Sequence, residues 1–193
     1  MAEIVLLRHS FTKGNLEGRY LGGQTDEGLC AQGITLLEGR LYPEVVRIYT
    51  SPMKRCIETA KFIWKVESSQ MQIVEKLREC DFGDFENKSY QELDGNLSYQ
   101  AWIDSGGTLP FPGGESMEEF KARCQEGFAE IVKEITKIDG TVALVVHGGT
   151  IMAIMERYGF PEQSYFDYQV KNGCGYLLTP VEGTMLWNYQ CLP

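Results

Sequence analysis

Short apolar runs alternate along the chain with longer segments whose apolar residues recur at helical spacing. The first run, residues 3–7, is too brief for a helix and has the aliphatic composition of a buried strand. Strands that alternate with helices are typical of an α/β protein, so the pattern predicts a three-layer α/β/α sandwich with a mostly parallel central sheet. The predicted strands are 3–7, 45–49, 71–74, 141–146, 174–179 and 185–189, and the predicted helices are 31–41, 53–64, 99–103, a long helix after 116, and 150–158.

Local signals set several ends of these elements. Ser116 followed by Glu119 has the spacing of a capping box, which starts a helix. Pro52 is expected to open the second predicted helix, because its fixed φ suits a first turn. Glu182 and Gly183 are expected to form the turn of a closing hairpin. The long helix has its apolar residues at helical spacing: Phe120, Cys124, Phe128, Ile131 and Ile135.

Two segments lack a regular pattern. Residues 10–30 are rich in glycine and are expected to form a loop. Residues 79–115 hold glycine pairs and prolines among aromatic residues, and are expected to form a lid or insertion on a single domain that spans 1–193. Three aromatic side chains of the insertion have two interpretations, contact with a substrate or packing onto the domain, and we favour packing. They are Tyr90, Trp102 and Phe111.

Composition argues against some classes of partner. The chain has 193 residues, of which 43% are hydrophobic and 23% charged, as in an ordinary globular protein that needs no disulfide or structural metal. A net charge of −9 argues against nucleic acid or an anionic membrane as a partner. An anion site in this chain must therefore be a local basic pocket.

Cysteine and histidine usage indicates thiols rather than a metal centre. The six cysteines include no C-x-x-C pair, and only two histidines are present, so we expect no bound metal. The N-terminal apolar run is short and ends in a charge, unlike a signal peptide, and no stretch approaches the roughly 18 apolar residues of a membrane span. We expect a cytoplasmic protein, and a homodimer only because dimers are the commonest assembly.

The two histidines hold equivalent positions. His9 comes at the end of the first predicted strand, and His147 directly follows the strand over 141–146. Ligands bind at the carboxyl edge of the strands in open α/β sheets, because helix N-termini and loop amides point there. A single histidine at a strand end is usually structural. Two of two in equivalent positions indicate a shared site.

The residues beside these histidines favour binding of an oxyanion. Arg8 precedes the first histidine, and Arg55 lies about one turn into the helix that follows the second predicted strand. Guanidinium groups match phosphate oxygens in bidentate fashion. Gly148 and Gly149 follow the second histidine and let backbone N–H groups approach a ligand closely. Either arginine alone would be interpreted as a surface ion pair, but the combination predicts an oxyanion pocket.

These residues belong to five ordered motifs that span nearly the whole chain. The motifs are Arg8-His9-Ser10 with Thr12 and Asn15, Ser51-Pro52 with Arg55 and Glu58-Thr59-Ala60, Leu77 with Glu79, Phe82-Gly83, Phe85 and Glu86, Pro112-Gly113-Gly114-Glu115-Ser116, and Val146-His147-Gly148-Gly149. In this order and spacing they resemble the histidine phosphatase superfamily, in the branch that contains the phosphoglycerate mutases. The resemblance implies a phosphoglycerate mutase-like fold and hydrolysis of a small phosphate monoester through a phosphohistidine.

The resemblance also implies a role for each site residue, without a cofactor. His9 is the expected nucleophile and attacks phosphorus as a neutral imidazole. Glu79 is expected to protonate the leaving alkoxide and then to activate water, for which burial or a nearby phosphate must raise its pKa. Other carboxylates crowd the same stretch, so only the resemblance selects Glu79. The residues expected to bind the phosphoryl group and stabilise its charge are Arg8, Asn15, Arg55, His147 and Gly148.

Two positions depart from the family motifs. Ser10 stands where glycine is usual, which would cost on the order of 1 kcal/mol if that residue needed a positive φ. Asn87 stands where glycine often follows the motif that ends at Glu86. Neither departure removes a catalytic group. Within the other motifs, Ser51 is interpreted as a helix N-cap and Glu58 as the partner in a structural ion pair.

Within the superfamily the chain is most similar to the α-ribazole phosphatases, on its length, on residues 79–86 and on 172–174 before the closing strand. Two alternatives stay open. A mutase would share the first step and return the phosphate to a second hydroxyl, but residues 79–83 differ from the corresponding segment of the phosphoglycerate mutases. A non-catalytic relative would bind phosphorylated ligands without turnover, and the filled catalytic positions argue against it.

Overall fold

The computed structural model describes residues 2–192, and its centre is a seven-stranded sheet. The elements in chain order are β1 (Glu3–Arg8), α1 (Lys13–Leu16), α2 (Ala31–Glu38), β2 (Arg47–Thr50), α3 (Lys54–Trp64), β3 (Met71–Ile73), α4 (Leu97–Asp104), α5 (Met117–Ile135), β4 (Thr141–Val146), α6 (Gly148–Tyr158), β5 (Gly159–Phe160), β6 (Gly175–Pro180) and β7 (Trp187–Leu192).

The sheet has the order β3-β2-β4-β1-β6-β7-β5. Strands β3, β2, β4 and β1 are parallel, β6 pairs antiparallel with β1 and β7, and β5 is parallel to β7. The predicted mostly parallel sheet is therefore confirmed. In the register of the two central strands, Arg8 lies opposite Val146, so β1 and β4 end level with each other.

Both faces of the sheet are covered. Leu6 of β1 packs in a cluster that includes Phe128 of α5 and Ile151 of α6. Leu7, the next residue, packs on the opposite face in a cluster with Cys56 of α3. Successive side chains of a strand point to opposite faces, and burial of both requires helices on both sides. The predicted three-layer α/β/α sandwich is confirmed.

Helix α5 begins where the sequence predicts. The Ser116 hydroxyl accepts the N–H of Glu119, and the Glu119 carboxylate accepts the N–H of Ser116. The expected apolar face is buried at each of its positions: Phe120, Cys124, Phe128, Ile131 and Ile135. The closing hairpin also turns as expected, with Gly183 at a φ of 74°.

Some boundaries differ from the prediction for local reasons. Met53 is the N-cap of α3, so the expectation that Pro52 opens this helix is wrong. Helix α6 begins at Gly148 and takes both glycines into its first turn. The pattern does not predict α1 or β5, because elements of four and two residues are too short to show a period. The other strands and helices shift by up to three residues.

The segment over 79–115 contains α4 and is held to the rest of the chain by aromatic packing. Its aromatic cluster comprises Phe82, Phe85, Tyr99, Trp102 and Phe111 around Tyr20. Trp102 and Phe111 therefore pack onto the domain, as the favoured interpretation expects, and both also line the cavity described below. That the segment acts as a lid on one domain stays a prediction. Over residues 2–192, no helix has the length and apolar character needed to cross a bilayer.

Candidate active site

The two histidines lie side by side at the carboxyl ends of β1 and β4. Their ring centroids are 5.2 Å apart, with an interplanar angle of 66°. The N–H of His9 donates to the carbonyl of Val146 at 2.9 Å, which carries the register of the strands one residue further. Level parallel strands thus bring together two residues that are distant in sequence.

The His9 ring is held in one tautomer. Its Nδ1 lies 2.7 Å from the carbonyl oxygen of Ser10, an acceptor only, so Nδ1 carries the proton and Nε2 the lone pair. Burial lowers the pKa of His9 well below its ordinary value, and the positive charges of Arg55 and Arg8 lower it further. The ring is therefore neutral at physiological pH and has one nucleophilic nitrogen.

His147 is held by partners on both ring nitrogens. Arg55 donates its Nε–H to Nδ1 at 3.2 Å, and Nε2 lies 2.7 Å from the hydroxyl of Ser51. Burial lowers the pKa of His147 well below its ordinary value, followed by the charge of Arg55. The interpretation of Ser51 as a helix N-cap is wrong, because Met53 is the cap and the serine hydroxyl orients the histidine instead.

The Arg55 guanidinium is fully buried. Besides its bond to His147, Nη1 donates to the carbonyl of Thr25 at 2.6 Å, and Nη2 donates to that of Gly22 at 3.1 Å. Its charge is thus fixed beside the two histidines by the loop that follows α1.

A few residues further along α3, Glu58 accepts the backbone N–H of Leu29 at 2.6 Å, so the expected ion pair for Glu58 is replaced by a bond to the same loop.

Arg8 extends from the end of β1 across the first turn of α6. Its Nη1 donates to the carbonyl of Val170 at 2.7 Å, and its Nε is buried without a hydrogen-bond partner within residues 2–192. The guanidinium lies against Gly148, where an added Cβ would be 3.4 Å from its central carbon. Burial lowers the pKa of Arg8, and the charge of Glu79 partly opposes this.

Two side-chain amides, those of Asn172 and Asn15, are linked to the backbone of His9. Asn172 donates its side-chain N–H to the carbonyl of His9 at 3.1 Å and to Oδ1 of Asn15 at 3.3 Å. Oδ1 of Asn15 also accepts the N–H of Thr12 at 3.2 Å. Because its oxygen receives two donors, the Asn15 amide presents its NH₂ group as the available donor.

Glu79 faces the first turn of α6 and is 8% exposed. Its Oε1 accepts the N–H of Cys80 at 2.9 Å, and its Oε2 accepts the N–H of Gly149 at 3.2 Å. Burial raises the pKa of Glu79, while these bonds and the charges of Arg55 and Arg8 oppose the rise. A carboxyl with a raised pKa is suited to donate a proton near neutrality.

The two departures from the family motifs have different structural consequences. Ser10 is buried and is not among the residues with positive φ, so serine causes no backbone strain. Its N–H donates to Thr59 Oγ1 at 3.0 Å and its hydroxyl donates to the carbonyl of Gly33 at 2.7 Å. Asn87 has a φ of 57°, the left-handed region that glycine favours and asparagine tolerates best.

A cavity of about 330 Å³ opens onto the predicted residues. Of the predicted set, Arg8, His9, Asn15, Glu79 and Gly148 line it. Arg55 and His147 are fully buried next to these lining residues and do not line the cavity themselves. The structure thus brings all seven residues together. Five line the cavity, and the other two lie buried directly behind them.

The outer wall of the cavity is apolar. Trp102 and Phe111 of the insertion line it, together with Phe82, and Tyr165 and Phe166 line it as well. Tyr90 is 61% exposed and lies outside the cavity, so its suggested contact with a substrate is not supported by its position. No group of three or more His, Cys, Asp or Glu side chains within residues 2–192 is arranged to hold a metal ion.

Sequence reasoning misses several residues of the site. The sequence marks Asn172 only through the resemblance of residues 172–174 to the α-ribazole phosphatases, and it favours a helix N-cap role for Ser51. The lining residues Tyr165 and Phe166 precede β6 and have no motif of their own. Ser51 could be found from its place in the motif that contains Arg55, and Asn172 from the resemblance over 172–174, whereas no sequence signal marks Tyr165 or Phe166.

Comparison with known proteins decides the family. The family description "Histidine phosphatase superfamily (branch 1)" matches residues 4–189. This chain belongs to the histidine phosphatase superfamily. The predicted resemblance is confirmed, and the motifs that carry it all lie within the matched residues.

Two curated relatives within this superfamily are phosphatases by name. A protein of Hydrogenobacter thermophilus named "Putative phosphoserine phosphatase 2" is 32% identical over 161 residues, which cover 80% of this chain and 77% of the relative. The adenosylcobalamin/alpha-ribazole phosphatase of Escherichia coli is 27% identical over 179 residues, covering 88% and 85%. This member of the superfamily is therefore a phosphatase, and its substrate is a small phosphate monoester.

A solved structure supports the fold. The alpha-ribazole phosphatase from Shigella flexneri aligns with this histidine phosphatase at a TM-score of 0.82 and 23% identity, covering 98% of this chain and 95% of the other. The predicted phosphoglycerate mutase-like architecture is confirmed by this agreement and by the likeness to a phosphoglycerate mutase from Thermus thermophilus, at a TM-score of 0.69.

Proposed function

We propose that this phosphatase works through a phosphohistidine at His9. The observation that carries the proposal is the 2.7 Å contact between His9 Nδ1 and the carbonyl of Ser10. It leaves Nε2 as the nitrogen with a lone pair, on a ring that is neutral and lines the cavity. A neutral imidazole held in one tautomer is the form required of a nucleophile.

The first step transfers the phosphoryl group. The lone pair of His9 Nε2 forms a bond to phosphorus as the bond to the ester oxygen breaks in line with it. Arg8, with the buried charge of Arg55 beside it, stabilises the negative charge on the phosphoryl oxygens. Glu79 gives its proton to the departing alkoxide, so the alcohol leaves as a neutral product.

The second step restores the enzyme. The Glu79 carboxylate takes a proton from water as the water oxygen attacks phosphorus, and the bond between phosphorus and His9 Nε2 breaks. The products are inorganic phosphate, a neutral His9 and a protonated Glu79. One carboxyl therefore serves as acid and then as base, which its contacts with the cavity and with two backbone N–H groups favour.

Trapping the intermediate tests this mechanism. Substrate with a ³²P-labelled phosphoryl group is mixed with the enzyme, quenched within milliseconds and separated from free label. We expect protein-bound label that is released by acid and stable in alkali, as expected for a phosphoramidate, and none in His9→Ala. Label that survives in His9→Ala, or equal hydrolysis rates for the two proteins, contradicts the role of His9.

We further propose α-ribazole 5′-phosphate as the substrate, in preference to phosphoserine. The aromatic wall that includes Trp102 and Phe111 suits a planar ring on the alcohol side of the ester. Among the lining residues, Glu79 is the only carboxylate, so the ammonium group of phosphoserine finds no anionic partner apart from the general acid. The similarity to the E. coli relative supports the same choice.

A substrate comparison tests this choice. We expect a higher kcat/KM for α-ribazole 5′-phosphate than for phosphoserine, and a larger KM for the former in Trp102→Ala. Tyr90→Ala is the matched control, because Tyr90 lies outside the cavity. A preference for phosphoserine, or equal effects of the two substitutions, overturns the proposal. Release of inorganic phosphate, rather than an isomer of the substrate, distinguishes hydrolysis from mutase activity.

A cytoplasmic location and a homodimer stay predictions. The six cysteines are free thiols in the structure, which supports a reducing compartment. Sedimentation of the purified protein over a range of concentrations tests the dimer. Fractionation of the source cells tests the location.

A further inference from the structure

The motif over residues 112–116 does not contact the phosphate site, yet it binds the chain that directly follows Glu79. Glu115 donates its N–H to the carbonyl of Asp81 at 2.9 Å, and the Glu115 carboxylate accepts the N–H of Asp81 at 3.4 Å. Asp84 donates its N–H to the carbonyl of Pro112 at 2.8 Å. The turn formed by residues 112–116 and the segment after Glu79 are therefore paired through their backbones.

Glycines make this pairing close. Gly83 has a φ of 50°, and an added Cβ there would overlap the carbonyl of Pro112. A Cβ at Gly114 would likewise overlap the carbonyl of Asp81. Only residues without a side chain allow the two backbones to approach so closely. The position of the turn is thus transmitted directly to the residues after Glu79.

Arg123 of α5 holds the chain before Glu79 in the same way. Its Nη1 donates to the carbonyls of Lys76 at 2.9 Å and Arg78 at 2.8 Å, and its Nη2 reaches that of Glu79 at 3.4 Å. The same guanidinium binds the Glu115 carboxylate in bidentate fashion, at 2.9 and 2.7 Å. All five N–H donors of Arg123 are used in this arrangement.

We propose that Arg123, paired with Glu115, is a positioning residue for the general acid Glu79. One oxygen of the Glu79 carboxyl accepts the N–H of Gly149, and the other accepts the N–H of its own neighbour Cys80, so the direction of the carboxyl depends in part on the backbone over 79–80. Arg123 fixes that backbone on one side and Glu115 fixes it on the other. The inference rests on the proposed role of Glu79 and assigns a function to a pair that does not line the cavity.

Leaving groups of different basicity test the inference. Benzyl phosphate loses a strongly basic alkoxide, which needs a proton from Glu79, whereas 4-nitrophenyl phosphate loses a stable phenolate that needs little protonation. In Arg123→Met and in Glu115→Gln, we expect kcat/KM for benzyl phosphate to fall about 10- to 100-fold, because a displaced catalytic group loses rate to that extent. For 4-nitrophenyl phosphate we expect little change.

Two further variants give the comparison its controls. Arg123→Lys keeps the positive charge but has fewer N–H donors. It replaces Arg123→Met if the methionine variant does not fold. Glu130 lies on α5, like Arg123, and Glu130→Gln removes its exposed ion pair with Lys76, at 2.6 Å; we expect it to leave both rates unchanged. Thermal unfolding of each variant shows whether the fold is intact.

The outcomes separate the inference from the proposed function. Glu79→Gln must itself lose benzyl phosphate hydrolysis selectively, and if it does not, the role of Glu79 as general acid fails. If Glu79→Gln is selective but the Arg123 and Glu115 variants lose both substrates equally, or neither, the positioning role fails alone. Selective loss in all three supports both.

Discussion

Arg55 donates its Nε–H to Nδ1 of His147 across 3.2 Å, and this bond fixes how the second histidine is protonated. Because Nδ1 accepts, the ring proton is on Nε2, which then donates to the Ser51 hydroxyl at 2.7 Å. The remaining guanidinium nitrogens bind backbone carbonyls of residues 21–25. A single buried guanidinium therefore sets the tautomer of His147 and holds the loop that closes over it.

Substitution of Arg55 with lysine is expected to show that its geometry matters as well as its charge. An ammonium group cannot reach His147 and two carbonyls at once, so buried acceptors lose their donor. Each unsatisfied buried group costs about 1–3 kcal/mol, so we expect the free energy of unfolding to fall by about 2–4 kcal/mol. We expect kcat/KM to fall by about 100-fold, because His147 and the loop over residues 21–25 lose the group that positions them and a small displacement in the site has that effect. Denaturant titrations and initial rates measure the two effects.

The matched control is Arg47→Lys, at an exposed position at the start of β2. It makes the same chemical change where no buried carbonyl depends on the guanidinium. If Arg55→Lys is as stable and as active as Arg47→Lys, the hydrogen bonds of the buried Arg55 guanidinium do not stabilise the fold or the site.

The pH dependence of the reaction follows from two shifts of opposite direction. Burial lowers the pKa of His9 and raises the pKa of Glu79. An imidazole is neutral above its pKa, and a carboxyl is protonated below its pKa. The two shifts therefore widen the pH range in which His9 is neutral while Glu79 is protonated. We expect kcat/KM for benzyl phosphate to fall at high pH as Glu79 loses its proton. Rates over a pH series measure this limb.

Glu79→Gln identifies the group responsible for the basic limb. Glutamine does not titrate, so the residual activity of this variant should lose the fall at high pH. The fall at low pH should remain, since it belongs to His9 and to the second ionisation of the phosphate ester, near pH 6. A basic limb of unchanged position in Glu79→Gln would assign the titration to another group.

Much of this arrangement is predictable from the sequence, because it depends on strand order. Parallel strands that end level place their next residues together, so His9 and His147 could be paired from two apolar runs alone. The bond between Arg55 and His147 joins residues 92 positions apart and has no local pattern. The same holds for Asn172, whose amide reaches His9 from the loop before β6. Contacts between side chains of separate loops require the folded structure.

Ser10 offers a test of a residue that departs from the family motif. Its hydroxyl bond to Gly33 is buried, and its φ is not positive, so serine stabilises the fold where the motif alone suggests a cost. We expect Ser10→Gly to lower the free energy of unfolding by about 1–2 kcal/mol, from the lost hydrogen bond and the added chain entropy. The rate should change little, because the Ser10 carbonyl still accepts from His9. Denaturant unfolding measures the stability.

Asn87 provides the opposite case. With a φ of 57°, it occupies a conformation in which a Cβ is strained. We expect Asn87→Ala to cost about 1 kcal/mol and Asn87→Gly to cost less. A stability gain in Ser10→Gly, or a loss in Asn87→Gly larger than in Asn87→Ala, would show that backbone strain is assigned to the wrong residue.

Two adjacent glycines at the start of α6 differ in how much space surrounds them, and this predicts different effects of alanine. A Cβ at Gly149 would lie 2.6 Å from Oε1 of Glu79 and 3.1 Å from the Phe120 ring. A Cβ at Gly148 would lie 3.4 Å from the nearest atoms, in the Arg8 guanidinium. Alanine at Gly149 must therefore displace the general acid, whereas alanine at Gly148 requires almost no movement.

We expect Gly149→Ala to lower kcat/KM for benzyl phosphate by about 100-fold, since a shift of about 1 Å in a catalytic group has that effect. Its loss for 4-nitrophenyl phosphate should be smaller, because that leaving group needs little protonation. Gly148→Ala is the matched control and keeps its N–H, so it should retain most activity on both substrates. Both variants should fold, because alanine has a higher helix propensity than glycine. Equal losses in the two variants would mean that crowding of Glu79 is not what limits residue 149 to glycine.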